Sequence, residues 1–218
     1  MRKGSASVPE TTSYRQSPLA PLGLAGQAAS GLNGAGIGVA EPDFRVLLDL
    51  RVELDKQPGA QDAVEKVLGL RLPETANTAT GNAERHALWL GPNEWQIVIH
   101  DSRPEAGREW TAKLREALQG IFCAVVDVSN AQAILRVTGP AAREVLERAV
   151  PLDMHAGKFQ PGEVKQTVFG RHCGVTLHLL DDAPTFDIYC RRSFAEYVHA
   201  YLKDCARGAC EDFAVLEG

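Results

Sequence analysis

The feature that most constrains the fold of this chain is a continuous unit at residues 123–151, whose pattern predicts a strand, a turn, a strand, a helix and a stop. Residues 123–128 are apolar except for one aspartate, as in a strand covered on both faces. The side chains of 132–138 alternate in character, which is the period of a half-exposed strand. Thr138-Gly139-Pro140 predicts a helix over 140–150, because threonine caps helices and proline fits the first helical position. The unit holds no obvious nucleophile or phosphate cradle, so it predicts a fold and not a reaction.

The rest of the chain from residue 43 onward repeats this theme. In the first half, 43–130, we expect a strand, a helix, a hairpin, a helix and a strand at 44–54, 60–68, 87–100, 105–119 and 121–128. In the second half, 131–218, we expect elements at 132–138, 140–150, 163–169, 173–180, 185–190, 193–206 and 212–216. Two tandem β-α-β-β-α-β units predict an α+β fold of two ferredoxin-like halves, with the helices of each half on one side of its sheet.

Three local expectations follow from the same patterns. Residues 73–85 are expected to form a polar loop. Ser193 and Glu196 have the spacing of a capping box, which predicts the start of helix 193–206. Leu135 and Leu146 lie on the apolar faces of their strand and helix, so they are predicted core residues of the second half.

Residues 1–42 differ in kind, because they are rich in serine, alanine, glycine and proline and include a glycine-rich string at 29–38. We expect an extended, flexible N-terminal arm. The segment Ser17-Pro18-Leu19-Ala20-Pro21-Leu22-Gly23-Leu24 places three leucines in a proline-fixed stretch, an unusual composition for a free tail. Two interpretations stay open: a disordered leader, or an arm that docks on its own domain or on a partner. Docking on a partner through Leu19, Leu22 and Leu24 is the hypothesis we carry forward.

Composition excludes several classes of protein. The formal net charge of −5 gives no basic field for nucleic acid or anionic lipid. No apolar run approaches the ~20 residues that a membrane span needs, and the first residues lack the apolar core of a signal peptide. The five scattered cysteines suit reduced thiols better than a disulfide framework, so we expect a cytoplasmic protein.

Several titratable residues could carry chemistry, and each has a simpler interpretation. Asp127 in its apolar strand could be a base with a raised pKa, or a carboxylate that faces the turn and accepts from the N–H groups of Ser129 and Asn130. Asp153 and His155 invite comparison with an acid–base pair, but neighbours at this spacing outside a helix have no fixed geometry. We expect none of them to be catalytic.

Metal and cofactor sites are not expected either. His172 and His178 share a strand face but stand about 20 Å apart at the usual rise, so they cannot bind one ion together with Cys173. Cys205 and Cys210 lack a second ligand pair for zinc. No G-x-G-x-x-G, P-loop or G-x-S-x-G motif stands in a suitable context.

Aromatic and arginine side chains remain as candidates for contact with a partner. Trp89 and Trp95 flank the turn at 91–93 and could stack a ring-shaped ligand, although such pairs are more often hairpin core or an interface anchor. Arg191 and Arg192 could meet a carboxylate of a partner or remain solvated. The interface candidates are Leu19, Leu22, Leu24, Trp89, Arg191, Arg192 and Tyr201.

Three stretches of this sequence resemble one known family. Leu88–Val98 (LWLGPNEWQIV), Val125–Phe169 and Thr185–Leu202 (TFDIYCRRSFAEYVHAYL) resemble the gamma subunit of heterotetrameric sarcosine oxidase. The resemblance covers nearly all of 44–206, and Ser17–Leu22 is similar to the family's N-terminal signature. The combination of motifs is specific, whereas any single one is weak.

The resemblance implies a role inside a larger enzyme. The complex of that family oxidises sarcosine to glycine, forms hydrogen peroxide and passes the one-carbon unit to tetrahydrofolate. FAD, FMN and NAD would belong to other subunits, the alpha and beta chains, and zinc to the delta chain. The gamma chain is similar in fold to the folate-binding domain of the glycine-cleavage T-protein. The resemblance therefore implies a non-catalytic structural subunit that holds no cofactor of its own.

Two other functions remain as alternatives. One is a stand-alone folate-dependent one-carbon transferase, whose relatives include a branch marked by K-G-C-Y-x-G-Q-E. The comparable stretch here, 158–167, reads KFQPGEVKQT and lacks both the cysteine and the Gly-Gln-Glu, which argues against this alternative. The other is the equivalent subunit of a related dehydrogenase that acts on another N-methyl amino acid, and only the partner's active site would distinguish it.

Overall fold

The computed structural model describes residues 16–24, 36–207 and 213–215 of the chain. Its elements in the first part of the chain are β1 (Ile37–Ala40), β2 (Val46–Val52), α1 (Ala60–Leu68), β3 (Ala79–Gly81), β4 (Arg85–Gly91), β5 (Glu94–Ile99), α2 (Ala106–Ala117) and β6 (Cys123–Asp127). Those in the second part are β7 (Gln132–Thr138), α3 (Ala142–Ala149), β8 (Val164–Phe169), β9 (Cys173–Leu179), β10 (Phe186–Arg191), α4 (Ala195–Ala206) and β11 (Phe213–Val215).

The first half forms a five-stranded antiparallel sheet in the order β3-β4-β5-β2-β6. Counting β2, β4, β5 and β6 as strands one to four of a β-α-β-β-α-β unit, the order 2-3-1-4 is that of a ferredoxin-like sheet. The short strand β3 is an addition at the edge, inside the stretch 73–85 that was predicted to be a polar loop. The predicted α+β fold class is confirmed for this half.

The second half repeats this order with one insertion. Its sheet runs β11-β1-β7-β10-β9-β8, so β7, β9, β10 and β11 take the places of β2, β4, β5 and β6, while β8 takes the place of β3. Strand β1 comes from the N-terminal part of the chain and lies between β7 and β11, antiparallel to the former and parallel to the latter. The prediction of a flexible arm over residues 1–42 is therefore wrong for 37–40, which form a strand of the second sheet.

The side chains of each sheet divide between two layers because they alternate along the strands. One face of the first sheet packs on α1 and α2, with Leu48, Leu50 and Trp95 in that core. The corresponding face of the second sheet packs on α3 and α4, in a core that contains the predicted residues Leu135 and Leu146. The opposite faces of the two sheets meet in a third cluster, formed by Leu47, Leu88, Val98, Ile134, Val164 and Tyr189. The layers therefore run helices, sheet, sheet, helices.

Two predicted helix starts are displaced. Helix α3 begins at Ala142 and not at residue 140, because Gly139 at φ +121° and Pro140 form a turn closed by the bond from the Ala142 N–H to the Gly139 carbonyl. The capping box at Ser193 does not form, since a short 3₁₀ turn at Arg192–Phe194 precedes α4 and its N-cap Phe194 offers no polar side chain. Among the described helices, none is long and apolar enough to cross a membrane.

Candidate interaction surfaces

The N-terminal segment at residues 16–24 packs on the second half of the same chain. Leu19 and Leu24 have no exposed surface and belong to the core that contains Leu135. The main chain is bound too, because the Glu41 N–H donates to the Leu24 carbonyl at 2.8 Å. These two leucines are therefore internal anchors, which corrects the hypothesis that they face a partner. Leu22, the third leucine of the segment, is 37% exposed.

Polar contacts hold the start of this segment. The Ser17 hydroxyl bonds the Glu41 carboxylate at 2.6 Å, and Arg192 donates to the carbonyl of Gln16. Burial raises the pKa of Glu41, while the Ser17 bond and the charge of Arg192 act in the opposite direction. Arg192, predicted as a partner contact, is thus exposed but already binds the N-terminal segment of its own chain.

The other interface candidates have mixed surroundings. Trp89 is half-buried against the core of the first half, beside its cross-strand neighbour Trp95, which is buried and donates to the Pro73 carbonyl at 2.8 Å. The tryptophan pair is therefore hairpin core. Tyr201 is half-buried, with its ring 5.8 Å from that of Phe169. Arg191, at the end of β10, is exposed.

The acidic candidates act as turn-forming groups. The Asp127 carboxylate accepts from the Ser129 N–H at 2.9 Å, which confirms a carboxylate facing the turn, and its second donor is the Ser129 hydroxyl in place of the predicted Asn130 N–H. Asp153 accepts from the N–H of His155 at 2.9 Å in an exposed turn. His172 is exposed on the turn before β9. The structure does not bring Asp127, Asp153, His155 and His172 together in one site.

In the described part of the chain, the histidines and cysteines that were weighed as metal ligands, and not expected to be such, do not form a cluster either. Within residues 16–24, 36–207 and 213–215, no group of three or more histidine, cysteine or acidic side chains could hold a metal ion. Cys173 is buried in the second core. Cys205 is a free thiol at the end of α4, and Cys210 lies outside the described residues.

A buried ion cluster joins the two halves where their sheets meet. Asp187 has no exposed surface and accepts from Arg45 at 2.8 Å and from Arg136 at 2.7 and 2.9 Å. Arg45 precedes β2 of the first half, whereas Arg136 is the cross-strand neighbour of Asp187 in the second. Burial raises the pKa of Asp187, but the two arginines outweigh burial and leave this pKa below its usual value.

Histidines extend this cluster along the line where the two sheets meet, which we call the seam. The ring of His86 lies 5.5 Å from that of His178 and 5.8 Å from that of His100. Burial, with the charge of Arg45 as a further cause, lowers the pKa of His100 and of His178 to about 4. Nδ1 of His178 is buried without a hydrogen-bond partner among the described residues. Sequence reasoning missed this cluster, although an aspartate inside the apolar strand FDIYC was a signal for it.

A cleft of about 530 Å³ opens beneath the N-terminal segment at the same seam. Its floor includes the buried Arg45, Leu47 and Ile134, and its rim includes Ser17 and Arg192. The charged groups named here are already bound, Arg45 to Asp187 and Arg192 to the Gln16 carbonyl. The cleft is a mixed apolar and polar seam between elements and holds no constellation of an acid, a base and a nucleophile.

Sequence comparison gives a consistent family. A model of the sarcosine oxidase gamma subunit family matches residues 54–208. The sarcosine oxidase subunit gamma of an Arthrobacter species is 33% identical over 153 residues, which are 69% of this chain and 70% of that protein. The subunit gamma of Corynebacterium sp. strain P-1 is 32% identical over 151 residues, with the same shares covered.

Solved structures agree with the sequence matches. Heterotetrameric sarcosine oxidase from Corynebacterium sp. U-96, in complex with pyrrole 2-carboxylate, contains a chain with a TM-score of 0.75 and 26% identity, covering 89% of this chain and 95% of that one. The glycine cleavage system aminomethyltransferase T from Bartonella henselae gives a TM-score of 0.52 at 16% identity, covering 77% of this chain and 45% of that one, which confirms the T-protein-like fold. This chain belongs to the sarcosine oxidase gamma subunit family.

Proposed function

We propose that this chain is a non-catalytic, structural subunit of a sarcosine oxidase complex. Such a complex demethylates sarcosine oxidatively to glycine, with formation of peroxide and one-carbon transfer to tetrahydrofolate. The observation that supports this proposal most is the similarity to a chain of heterotetrameric sarcosine oxidase, which extends over 95% of that chain. The similarity therefore involves the whole architecture of two halves and not one shared motif.

The proposed partners are the alpha, beta and delta subunits of the complex. FAD, FMN and NAD would be bound by the alpha and beta subunits and zinc by the delta subunit, in keeping with the family. A cytoplasmic location is part of the same proposal. It is supported by the four cysteines that the structure describes, Cys123, Cys173, Cys190 and Cys205, none of which is paired in a disulfide.

The fate of the polar side chains supports a structural role. In the seam, Asp187 accepts hydrogen bonds from Arg45 and Arg136. The carboxylates of Asp127 and Asp153 accept hydrogen bonds within turns. The stretch 158–167, which corresponds to a folate-related motif in one branch of the fold, supplies core instead: Phe159 is buried in the second half and Val164 in the layer between the sheets. These groups stabilise the fold that the partners would contact.

Reconstitution of the complex tests the proposal. The alpha, beta and delta subunits are co-expressed with this chain, without it, or with a version of it that lacks residues 1–24. The samples are compared by size-exclusion chromatography and by peroxide formation with sarcosine. We expect the truncation and the omission to lower the yield or stability of the complex. The purified single chain should show no flavin absorbance and no stoichiometric metal. Failure of the intact chain to co-purify with the others, or flavin bound to the single chain, would contradict the proposal.

A further inference from the structure

The outer edge of the first sheet carries the most exposed large apolar side chain that the structure describes. Phe122, immediately before β6, is 85% exposed, and Val126 within β6 is 47% exposed. Ala124 between them is exposed as well, and the three residues share one face because they alternate along the strand. An aromatic ring in water beside a second apolar side chain is typical of an interaction site.

The main chain of β6 has no strand partner among the described residues on the side away from β2. The Val128 N–H donates to the Leu47 carbonyl, so by alternation the main-chain groups of Ala124 and Val126 also face β2. Those of Cys123, Val125 and Asp127 therefore face outward. Their direction is confirmed at Val125, whose carbonyl accepts from the Arg115 side chain at 2.7 Å.

Of the four outer strands, β3 and β8 meet each other, since the Val164 N–H donates to the Asn77 carbonyl and the Ala79 N–H donates to the Gly162 carbonyl, both at 2.8 Å. The other two, β6 and β11, lie at the free ends of their sheets. In the second sheet, the neighbour of β7 is the added strand β1, so the fold accepts a strand from outside the repeat. Among the side chains that the structure describes, those of β6 combine such an edge with exposed apolar groups.

The rest of this chain is poorly suited to cover that edge. Of the residues outside the described ranges, 25–35 connect two points of the second half, because Leu24 is buried there and the Gly36 carbonyl accepts from Ala141. Residues 1–15 have only Met1, Val8 and Tyr14 as large apolar or aromatic side chains, and 208–212 together with 216–218 add only Leu216. An apolar strand that covers this edge is therefore better supplied by another chain.

We propose that β6 and the row Phe122, Ala124 and Val126 form a docking edge on which another subunit of the complex adds an extended, apolar strand. The added strand would pair with the outward groups of Cys123 and Asp127 and with the Val125 N–H, since the Val125 carbonyl already accepts from Arg115, and would cover the Phe122 ring. Beside the row of Phe122, Ala124 and Val126, the same face of the sheet carries the charged pair of Arg51 and Glu94, because Arg51 is the cross-strand neighbour of Ala124. Side chains of the added strand would also approach this pair. This inference rests on the proposed function, because it requires a multi-subunit complex.

A matched pair of valine substitutions tests the docking edge in the reconstituted complex. Val126→Lys alters the edge, whereas Val168→Lys alters a valine of β8 that is 46% exposed, nearly the same as Val126. We expect Val126→Lys to weaken binding of this chain to its partner subunits at least tenfold, and Val168→Lys to change it less than twofold. Circular dichroism and thermal unfolding of each full chain verify that both variants fold.

A photoreactive benzoylphenylalanine in place of Phe122 provides a second measurement that does not depend on affinity. Irradiation of the assembled complex should cross-link this position to another subunit. Cross-linking to a second copy of this chain, no cross-link at all, or unchanged affinity of Val126→Lys while the wild type assembles would overturn the docking edge. Failure of the wild type itself to assemble would instead contradict the proposed function.

Discussion

The two halves of the molecule share one topology but are completed in different ways. In the first half, β2 and β6 pair directly, and every strand of the sheet comes from a continuous stretch of chain. In the second half, the equivalent strands β7 and β11 are separated by β1, which comes from the N-terminal region. Leu19 and Leu24 add two buried side chains to the second core and none to the first.

This difference shows how a repeated fold acquires unequal surfaces. The second half is completed by β1, which lies nearly a hundred positions before its partner strand β7. Part of this half therefore depends on long-range contacts, which form slowly. The first half is completed locally and leaves β6 open at its outer edge. We infer that one half serves to anchor the N-terminal segment, while the other offers an edge for another chain.

The largest expected effect tests whether the two halves are held together as one unit. Asp187→Ala removes the carboxylate that pairs with Arg45 of the first half and Arg136 of the second, so two buried or half-buried guanidinium groups lose their partner. We expect a loss of about 3–5 kcal/mol in the free energy of unfolding, measured in urea. Glu94→Ala, which breaks an exposed pair with Arg51, should cost less than about 1 kcal/mol. Equal effects of the two substitutions would contradict the role of the seam.

A second test asks whether the N-terminal segment belongs to the second half. Leu19→Ala or Leu24→Ala should lower the free energy of unfolding by about 2–5 kcal/mol, because each side chain is fully buried. Leu22→Ala is the control on the same segment and should change it by less than about 0.5 kcal/mol. Hydrogen exchange should accelerate in β7 and β10 more than in β2 and β5. Equal acceleration in both sheets would remove the distinction between the halves.

The third test uses pH to loosen the seam. The pKa of His178 and that of His100 are about 4 in the folded chain, against about 6.5 when unfolded. The unfolded state therefore binds more protons in this window, so stability is lost as the pH falls from 6.5 toward 4. For the buried His178 the loss amounts to about 3 kcal/mol.

Unfolding of the wild type at pH 7 and pH 4.5 measures this dependence. His178→Gln should flatten it, because the charge change of one buried imidazole is removed. His155→Gln, at an exposed turn outside the seam, is the matched control for the loss of an imidazole. An unchanged slope in His178→Gln would show that the seam does not sense protons through this residue.

The smallest expected effect concerns the bond that fastens the start of the N-terminal segment. Ser17→Ala removes the hydroxyl that bonds the Glu41 carboxylate and should cost about 0.5–1.5 kcal/mol. Ser193→Ala is the control, because Ser193 is exposed and makes no capping bond at α4. Thermal unfolding of both variants gives the comparison, and a shift in Ser193→Ala as large as in Ser17→Ala would contradict it.

Sequence patterns predicted the elements of the two halves because local periodicity determines them. The apolar stripe of α1 and the alternation in β7 located both elements, with the same ends as those observed. Where prediction failed, a long-range contact or a preceding turn decided the outcome. Pro140 was taken as the first helical residue, but Gly139 places it in the turn before α3.

The surfaces were harder to predict than the fold, since burial depends on which elements meet. Leu19 and Leu24 were expected at a partner interface, and only the packed second half shows that they are internal. Phe122 was not singled out, because its neighbours suggested an ordinary buried strand, and its exposure arises from the edge position of β6. Asp187 was missed because its arginine partners are distant in sequence.

The central claim is that this chain contributes through assembly and not through chemistry. The most direct measurement is peroxide formation with sarcosine by complexes that carry Asp127→Ala, Asp153→Ala, His155→Ala or His172→Ala, with size-exclusion profiles of the same samples. We expect turnover within about threefold of the wild type for every complex that elutes intact. A hundredfold loss of turnover from any one of these substitutions in an intact complex would contradict it.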